Sequence, residues 1–136
     1  MMDAGEQTID TGHEEMDGEH RVQMELISAF RDAVAEGRGK EEVEEILVHL
    51  IDYTKIHFMS EQLLMRLHGY PRYRDHLHEH DMMIEQIDQL HERYRAGEAE
   101  LSAEIAGSLA EWLVGHIRRT DRALGKYLEA VADGGP

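Results

Sequence analysis

The sequence predicts an all-α protein, an up-down-up-down antiparallel four-helix bundle with an N-terminal arm. Apolar residues recur at steps of three and four along four separate stretches, and glycine-containing breaks lie between them. No stretch alternates between apolar and polar residues, so no β-strand is expected. The 136 residues are enough for one domain. Short connections between long helices favour antiparallel neighbours.

Each predicted helix ends at a glycine-containing break, which is typical of a helix C-terminus. In chain order the apolar stripes cover residues 16–34, 43–64, 76–94 and 101–128. Residues 1–16 are acidic and show no periodicity, so we expect them to form the arm. The bundle is then expected over residues 17–132, followed by a short C-terminal tail at 133–136.

Composition excludes several classes of protein. The chain has 14 Lys and Arg against 29 Asp and Glu, a formal charge of −15, which argues against binding to nucleic acid or to an anionic membrane surface. It has no cysteine, which excludes disulfides and thiolate metal sites. No apolar run is long enough to span a bilayer, and no secretory signal is recognisable. We therefore expect a cytoplasmic protein, with the oligomeric state open and a monomer compatible with the sequence.

Polar side chains interrupt the inward-facing stripes. Ten histidines are present, and six positions fall in phase with the apolar residues: His20, His57, Glu61, His76, His80 and His116. One buried histidine is usually a hydrogen-bonded core residue. Six polar positions spread over four helices favour a metal site, because a bound cation offsets the cost of burying several such groups together. The other histidines continue no pattern, although His13 lies close enough to His20 to be a candidate accessory group.

The spacings within these stripes indicate how the side chains would meet. His57 and Glu61 form an HxxxE pair, and His76 and His80 form an HxxxH pair. Residues four apart stack one turn above another, so each pair can reach a shared centre. His116 and Asp121 are five apart, about 140° from alignment on an ideal helix. Either Asp121 reaches around toward a second metal, or the helix is overwound or bulged there.

The chain resembles a known family at these motifs. The segments that carry the resemblance are DGEH at 17–20, HFMSE at 57–61, HLHEH at 76–80, and WLVGH at 112–116 followed by Asp121. In this order and spacing they resemble hemerythrin, and more narrowly the single-domain bacterial hemerythrins (bacteriohemerythrins). The resemblance covers residues from about 12 to 128.

This resemblance implies a non-haem di-iron cofactor, two iron ions joined by an oxo or hydroxo bridge. It implies that one iron is held by His76, His80 and His116, and the other by His20 and His57. Glu61 and Asp121 would bridge the two ions. The iron with two histidines would keep an open position, where O2 binds reversibly as hydroperoxide in an oxygen carrier, store or sensor.

The resemblance also implies an O2 pocket around the open iron, formed by Phe58, Met83, Leu113 and Ile117. Met83 stands where the family usually has Phe, and a slimmer, more flexible side chain there predicts a wider pocket and faster autoxidation. Tyr53 and Trp112 lie one turn before ligands and are candidates for supporting them. Gln62 replaces a family Glu and is expected to face outward with little effect.

Two other classes of function stay open. The first is a di-iron oxidase, a peroxidase or a nitric-oxide-handling enzyme, and the second is an iron storage or handling protein. Oxygen-activating bundles use Glu-x-x-His pairs, and no histidine here has Glu three residues before it. We therefore expect a binding protein rather than an enzyme. Its partner would be O2, with NO, azide and other small anions as further candidate ligands.

Overall fold

The computed structural model describes residues 10–134 and confirms the all-α four-helix bundle. Its first three helices are α1 (Glu14–Ala35), α2 (Lys40–Leu67) and α3 (Tyr73–Arg95). The fourth helical segment of the bundle consists of α4 (Ala103–His116), a π-helical turn (Ile117–Asp121) and α5 (Arg122–Gly134). Within this part of the chain there is no β-strand. Residues 1–9 of the predicted arm and 135–136 of the predicted tail lie outside the described residues.

Local signals in the sequence set the helix ends. The His13 side chain accepts a hydrogen bond from the Met16 amide at 3.3 Å and caps α1, and Ser102 caps α4 in the same way. Gly37 and Gly97 follow the last residues of α1 and α3 with positive φ, a backbone conformation that ends a helix and favours glycine. α1 therefore begins inside the segment that the sequence assigned to the arm.

Helix α1 packs against α2 and α4, and α2 packs against α3. Toward one end of the bundle the core is built by side chains such as Phe30, Leu47 and Ile87. Toward the other end it contains Met16 and Leu124, among others. A belt of buried polar residues lies between these two apolar regions. The candidate site is thus enclosed by core on both sides along the bundle axis.

The segment before α1 is joined to α5. A Cβ atom added to Gly125 would collide with the Thr11 backbone, so only glycine lets the two segments approach this closely. Thr11 donates two hydrogen bonds to the Asp17 carboxylate, at 2.8 and 2.7 Å, and Arg122 Nε donates to the Asp10 carbonyl at 3.2 Å. None of the described helices combines the length and apolar character needed to cross a membrane.

Candidate metal centre

Seven buried side chains meet in the polar belt, and all seven come from the predicted ligand set. They form two groups, in each of which one candidate ligand atom per residue lies within 4.8 Å of every other. The first group is Glu61, His76, His80, His116 and Asp121, and the second is His20, His57, Glu61 and Asp121. The two groups share both carboxylates, so the site has two adjacent centres.

Glu61 lies at the middle of the cluster, and each of its oxygens faces a different group. His57 Nε2 lies 2.9 Å from Oε2, and His80 Nε2 lies 3.0 Å from Oε1. His57 and Glu61 are four residues apart on α2, so helix geometry alone brings them together. The Glu61 carboxylate is therefore placed to bridge two cations.

Asp121, on the fourth helical segment, is the second carboxylate that both groups share. Its Oδ1 lies 3.0 Å from His116 Nε2 and 2.9 Å from His76 Nε2, and its Oδ2 lies 2.9 Å from His20 Nε2. The π-helical turn at Ile117–Asp121 makes this possible, because its i→i+5 pattern stacks residues five apart. Of the two explanations that the sequence left open for this spacing, the structure shows the bulged helix.

The arrangement fits a metal better than it fits internal hydrogen bonding. Despite these short distances, the Nε2 atoms of His57, His80 and His116 and both oxygens of Asp121 have no hydrogen-bond partner in the described part of the chain. Within the cluster, His20 Nε2 and His76 Nε2 are hydrogen-bonded to the Glu61 carboxylate, at 3.3 and 3.2 Å. Unsatisfied buried polar atoms cost roughly 1–3 kcal/mol each, and a bound cation would satisfy them. Five imidazoles and two carboxylates suit a borderline metal such as iron.

Two glutamates support the cluster from outside. His57 Nδ1 lies 2.6 Å from Glu19 Oε1, and His116 Nδ1 lies 2.9 Å from Glu79 Oε1, which also accepts from Thr120 at 2.8 Å. An Nδ1–H that donates to a carboxylate leaves the Nε2 lone pair free for a metal. Our sequence analysis missed both glutamates. Each directly precedes a predicted ligand, as Glu19-His20 and Glu79-His80, and that repeated Glu-His pair was the available signal.

The outward position predicted for Gln62 is wrong. Gln62 is half-buried, and its amide nitrogen lies 3.3 Å from His80 Nδ1. When His80 binds a metal through Nε2, Nδ1 carries a proton, and the other orientation of the amide offers Oε1 to accept it. The residue follows Glu61 directly in the chain, and its amide group reaches toward His80 on α3. Three of the five imidazoles thus have an outer partner among the described residues.

The carboxylates and imidazoles shift one another's protonation. Burial lowers the pKa of His57, but the charge of Glu61 and the hydrogen bond to Glu19 outweigh it and raise the pKa to about 10. Burial likewise opposes the effect of Asp121 and Glu79 on His116, whose pKa also rises to about 10. The pKa of Glu61 falls well below its usual value because its imidazole neighbours outweigh its burial. The metal-free cluster therefore holds protons where a metal would bind.

The predicted pocket residues are all buried. Phe58 stacks on His80 with ring centroids 3.7 Å apart, and Ile117 follows His116 at the start of the π-helical turn. Met83 and Leu113 line a small apolar cavity among α1, α2, α3 and α4. The structure thus places these four side chains around the cluster or at the cavity beside it.

The two predicted supporting residues differ in position. The Trp112 ring stacks on His116 with centroids 5.0 Å apart and an angle of 9° between the rings, so it holds that imidazole on one face. Tyr53 is half-buried, and burial together with the charge of Glu19 raises its pKa. Tyr53 thus lies near the carboxylate that supports His57.

Known proteins resemble this chain over nearly its whole length. The family model described as "Hemerythrin HHE cation binding domain" matches residues 11–128. Bacteriohemerythrin of Pseudomonas aeruginosa is 33% identical over 123 residues, which cover 90% of this chain and 77% of that protein. Bacteriohemerythrin of Methylococcus capsulatus is 32% identical over 114 residues, 84% of this chain and 86% of the relative. A wild-type hemerythrin crystal structure superposes with a TM-score of 0.81 at 31% identity, covering 85% of this chain and 88% of that one.

Proposed function

The chain belongs to the hemerythrin family, and from that premise we propose that it binds O2 reversibly at a non-haem di-iron centre. In this proposal it is an oxygen carrier, store or sensor and not an enzyme. The observation that carries the proposal is the sharing of Glu61 and Asp121 by two adjacent groups of buried ligands. Two shared carboxylates are well suited to bridging a pair of neighbouring cations.

The ligands divide unequally between the two centres. His76, His80 and His116 lie in one group, and His20 and His57 lie in the other. With both carboxylates shared, the second centre has one protein ligand fewer, which leaves room for an exogenous ligand. When two ferrous ions are bound, they supply the two electrons that reversible O2 binding at such a centre uses.

Reversible O2 binding also requires that water be excluded from the site, and the residues around the cluster provide this exclusion. Phe58, Leu113 and Ile117 are at most 3% exposed, so their side chains form a dry wall beside the ligands. A low-dielectric surrounding disfavours separation of charge, so these side chains would favour a bound ligand that leaves again uncharged. Glu19 and Glu79 hold two of the imidazoles in the orientation and tautomer that the cluster needs.

Anaerobic reconstitution with ferrous iron tests the proposal. We expect two iron ions per chain and, on admission of O2, a visible charge-transfer band that disappears when O2 is removed and returns when it is readmitted. One iron or none per chain would contradict the di-iron centre. A band that decays within seconds while a peroxide product accumulates would instead support the di-iron oxidase class.

A replacement of His78 by Ala provides a matched control for cluster variants. His78 lies on α3 between two proposed ligands but is exposed and belongs to neither group. Its replacement is expected to leave both the iron content and the oxygenated spectrum unchanged. A loss of iron in this variant would mean that the metal binds at surface histidines and not in the cluster.

A further inference from the structure

The outward side of α2 carries a row of exposed apolar side chains. Four of them, each more than half exposed, together form the outer stripe: Ile56, Met59, Leu63 and Leu67, at 63, 67, 59 and 69%. The part of the chain that the structure describes has six exposed large apolar side chains, so most of them are gathered on this one helix. Single exposed apolar residues are common, but a contiguous group of them marks an interaction site.

The outer stripe has the spacing of a coiled-coil seam. Exposed residues of α2 recur in steps that alternate between three and four, at positions 49, 52, 56, 59, 63 and 66. This average of 3.5 residues directs a narrow seam at one partner helix, whereas the side of a helix that faces the core of its own bundle is wider. Ile56, Met59 and Leu63 lie in the middle of the seam. The spacing therefore indicates a second helix as the occupant.

The charges at the two ends of the seam indicate which helix this is. Asp52 precedes the apolar residues and Arg66 follows them, and both are exposed. Neither has an ion-pair partner among residues 10–134. They are 14 residues apart, about 21 Å along the helix, so they do not reach each other within one chain. Met59 lies midway between them.

A two-fold axis at Met59 would satisfy both charges. In an antiparallel pair of α2 helices, Asp52 of one copy lies opposite Arg66 of the other, and the symmetry repeats this pair at the far end. Ile56 and Leu63 lie on either side of Met59 and would form the apolar centre with the same residues of the second copy. The face is thus complementary to itself in charge and in the position of its apolar residues.

Repulsion between two copies is also weakest at this end of α2. The chain has a formal charge of −15, and residues 41–45 at the start of α2 include four glutamates. Between residues 52 and 67, in contrast, the charged residues outside the buried cluster are Asp52, Lys55 and Arg66. A basic partner protein would be attracted to the acidic surfaces, whereas a second acidic copy approaches most easily where acidic residues are few.

We propose that this chain forms a dimer with a second copy of itself through the outer stripe, with the two α2 helices antiparallel about a two-fold axis near Met59. Burial of the outer stripe of each copy provides the free energy of association, and the two Asp52–Arg66 pairs set the orientation. No residue of the outer stripe belongs to the metal cluster, so the dimer goes beyond the proposed function and does not depend on it.

Sedimentation velocity of the full chain over micromolar concentrations tests the dimer. The wild type is expected to shift from monomer to dimer as the concentration rises. Met59→Glu places two carboxylates at the axis and is expected to raise the dimer Kd about tenfold or more. The matched control is Met82→Glu, the same change at an exposed methionine of α3, which is expected to leave the Kd unchanged. A wild type that stays monomeric, or equal weakening in both variants, overturns the proposal.

Charge reversal tests the antiparallel orientation. Asp52→Arg alone and Arg66→Asp alone each turn two attractive pairs into two repulsive ones, and each is expected to raise the Kd about tenfold. The double variant restores both pairs with opposite polarity and is expected to return the Kd close to that of the wild type. Absence of this rescue overturns the proposal, since copies joined in parallel or through another face would not show it. Circular dichroism is expected to show unchanged helix content in all variants, because the replaced residues are exposed.

Discussion

Asp121 Oδ1 lies 3.0 Å from His116 Nε2 although the two residues are five apart in the chain. The π-helical turn between them places both side chains in the cluster, and π-helical turns within α-helices are often found at functional sites. The position of Asp121 thus depends on the local helix geometry as well as on its identity.

Replacing Asp121 with Asn is expected to reduce the iron content from two ions to one or none per chain. The amide has the same shape but only one oxygen and no charge, so it cannot bridge two cations. Iron analysis after anaerobic reconstitution measures this, with Asp81→Asn, an exposed change on α3, as the control. Two iron ions in the Asp121 variant would show that the carboxylate is not a bridge.

Replacing Glu79 with Gln is expected to weaken metal binding by roughly 10- to 100-fold, because the carboxylate that accepts from His116 Nδ1 is lost. The hydrogen bond to His116 lowers the pKa of Glu79 to about 2, so the group is ionised at neutral pH. Competition with a chelator of known affinity measures the change. Glu85→Gln on the exposed face of α3 is the control, and equal affinities in the two variants would contradict the prediction.

Two replacements of Gln62 separate a hydrogen bond from simple packing. Gln62→Leu removes the polar partner of His80 Nδ1 and is expected to weaken metal binding by roughly tenfold or more. Gln62→Glu keeps an acceptor there and is expected to match or exceed the wild-type affinity. Equal loss in both variants would mean that only the fit of the side chain matters.

Replacing Met83 with Phe is expected to slow autoxidation of the iron-loaded protein. Met83 is 3% exposed and lines the small cavity together with Leu113, so a larger rigid ring would fill space beside the proposed O2 pocket. The half-life of the oxygenated band measures the rate. Met82→Phe is the control, because Met82 is adjacent but 46% exposed, and similar half-lives in the two variants would count against a role for the cavity.

Metal binding is expected to release protons at neutral pH. The pKa of both His57 and His116 is raised from 6.5 to about 10 in the metal-free chain, so both hold a proton that a metal must displace. Calorimetric titrations in two buffers with different ionisation enthalpies measure this release, and identical heats in the two buffers would contradict it. The metal affinity should accordingly rise with pH up to about pH 10.

The raised pKa values of His57 and His116 also make the stability of the metal-free fold depend on pH. Because the folded pKa lies above the unfolded one, these two imidazoles stabilise the fold fully below about pH 6.5, and the contribution is lost as the pH rises toward 10. Urea midpoints of the metal-free chain at several pH values measure it. A urea midpoint that rises with pH between about 6.5 and 10 would contradict the raised pKa values of His57 and His116.

The fold was predictable because each helix carries its own periodic stripe and ends at a glycine-containing break, both of which are local. Six members of the buried cluster could be picked out because polar side chains in phase with apolar residues stand out within one helix. The supporting contacts could not, since Glu19 acts on His57 and Glu79 acts on His116 across helix boundaries. Such pairs depend on which helices are neighbours and on how they are rotated.

One feature of the site was only partly predictable from the sequence. The spacing of His116 and Asp121 indicated an irregularity but not its kind, because the sequence does not show whether a helix bends a side chain around or gains a π-helical turn.

The distribution of the cluster along the chain determines when it can form. His20 lies in the first helix, while Asp121 lies near the end of the chain, in the fourth helical segment. Thr11 likewise packs against Gly125 of α5. During synthesis, α1 is complete before α5 has been made. Neither the contact between His20 and Asp121 nor that between Thr11 and Gly125 can therefore form until α5 has emerged. Loading of both proposed metal centres must accordingly follow translation of nearly the whole bundle, and a nascent chain that stops before residue 121 holds only part of the cluster.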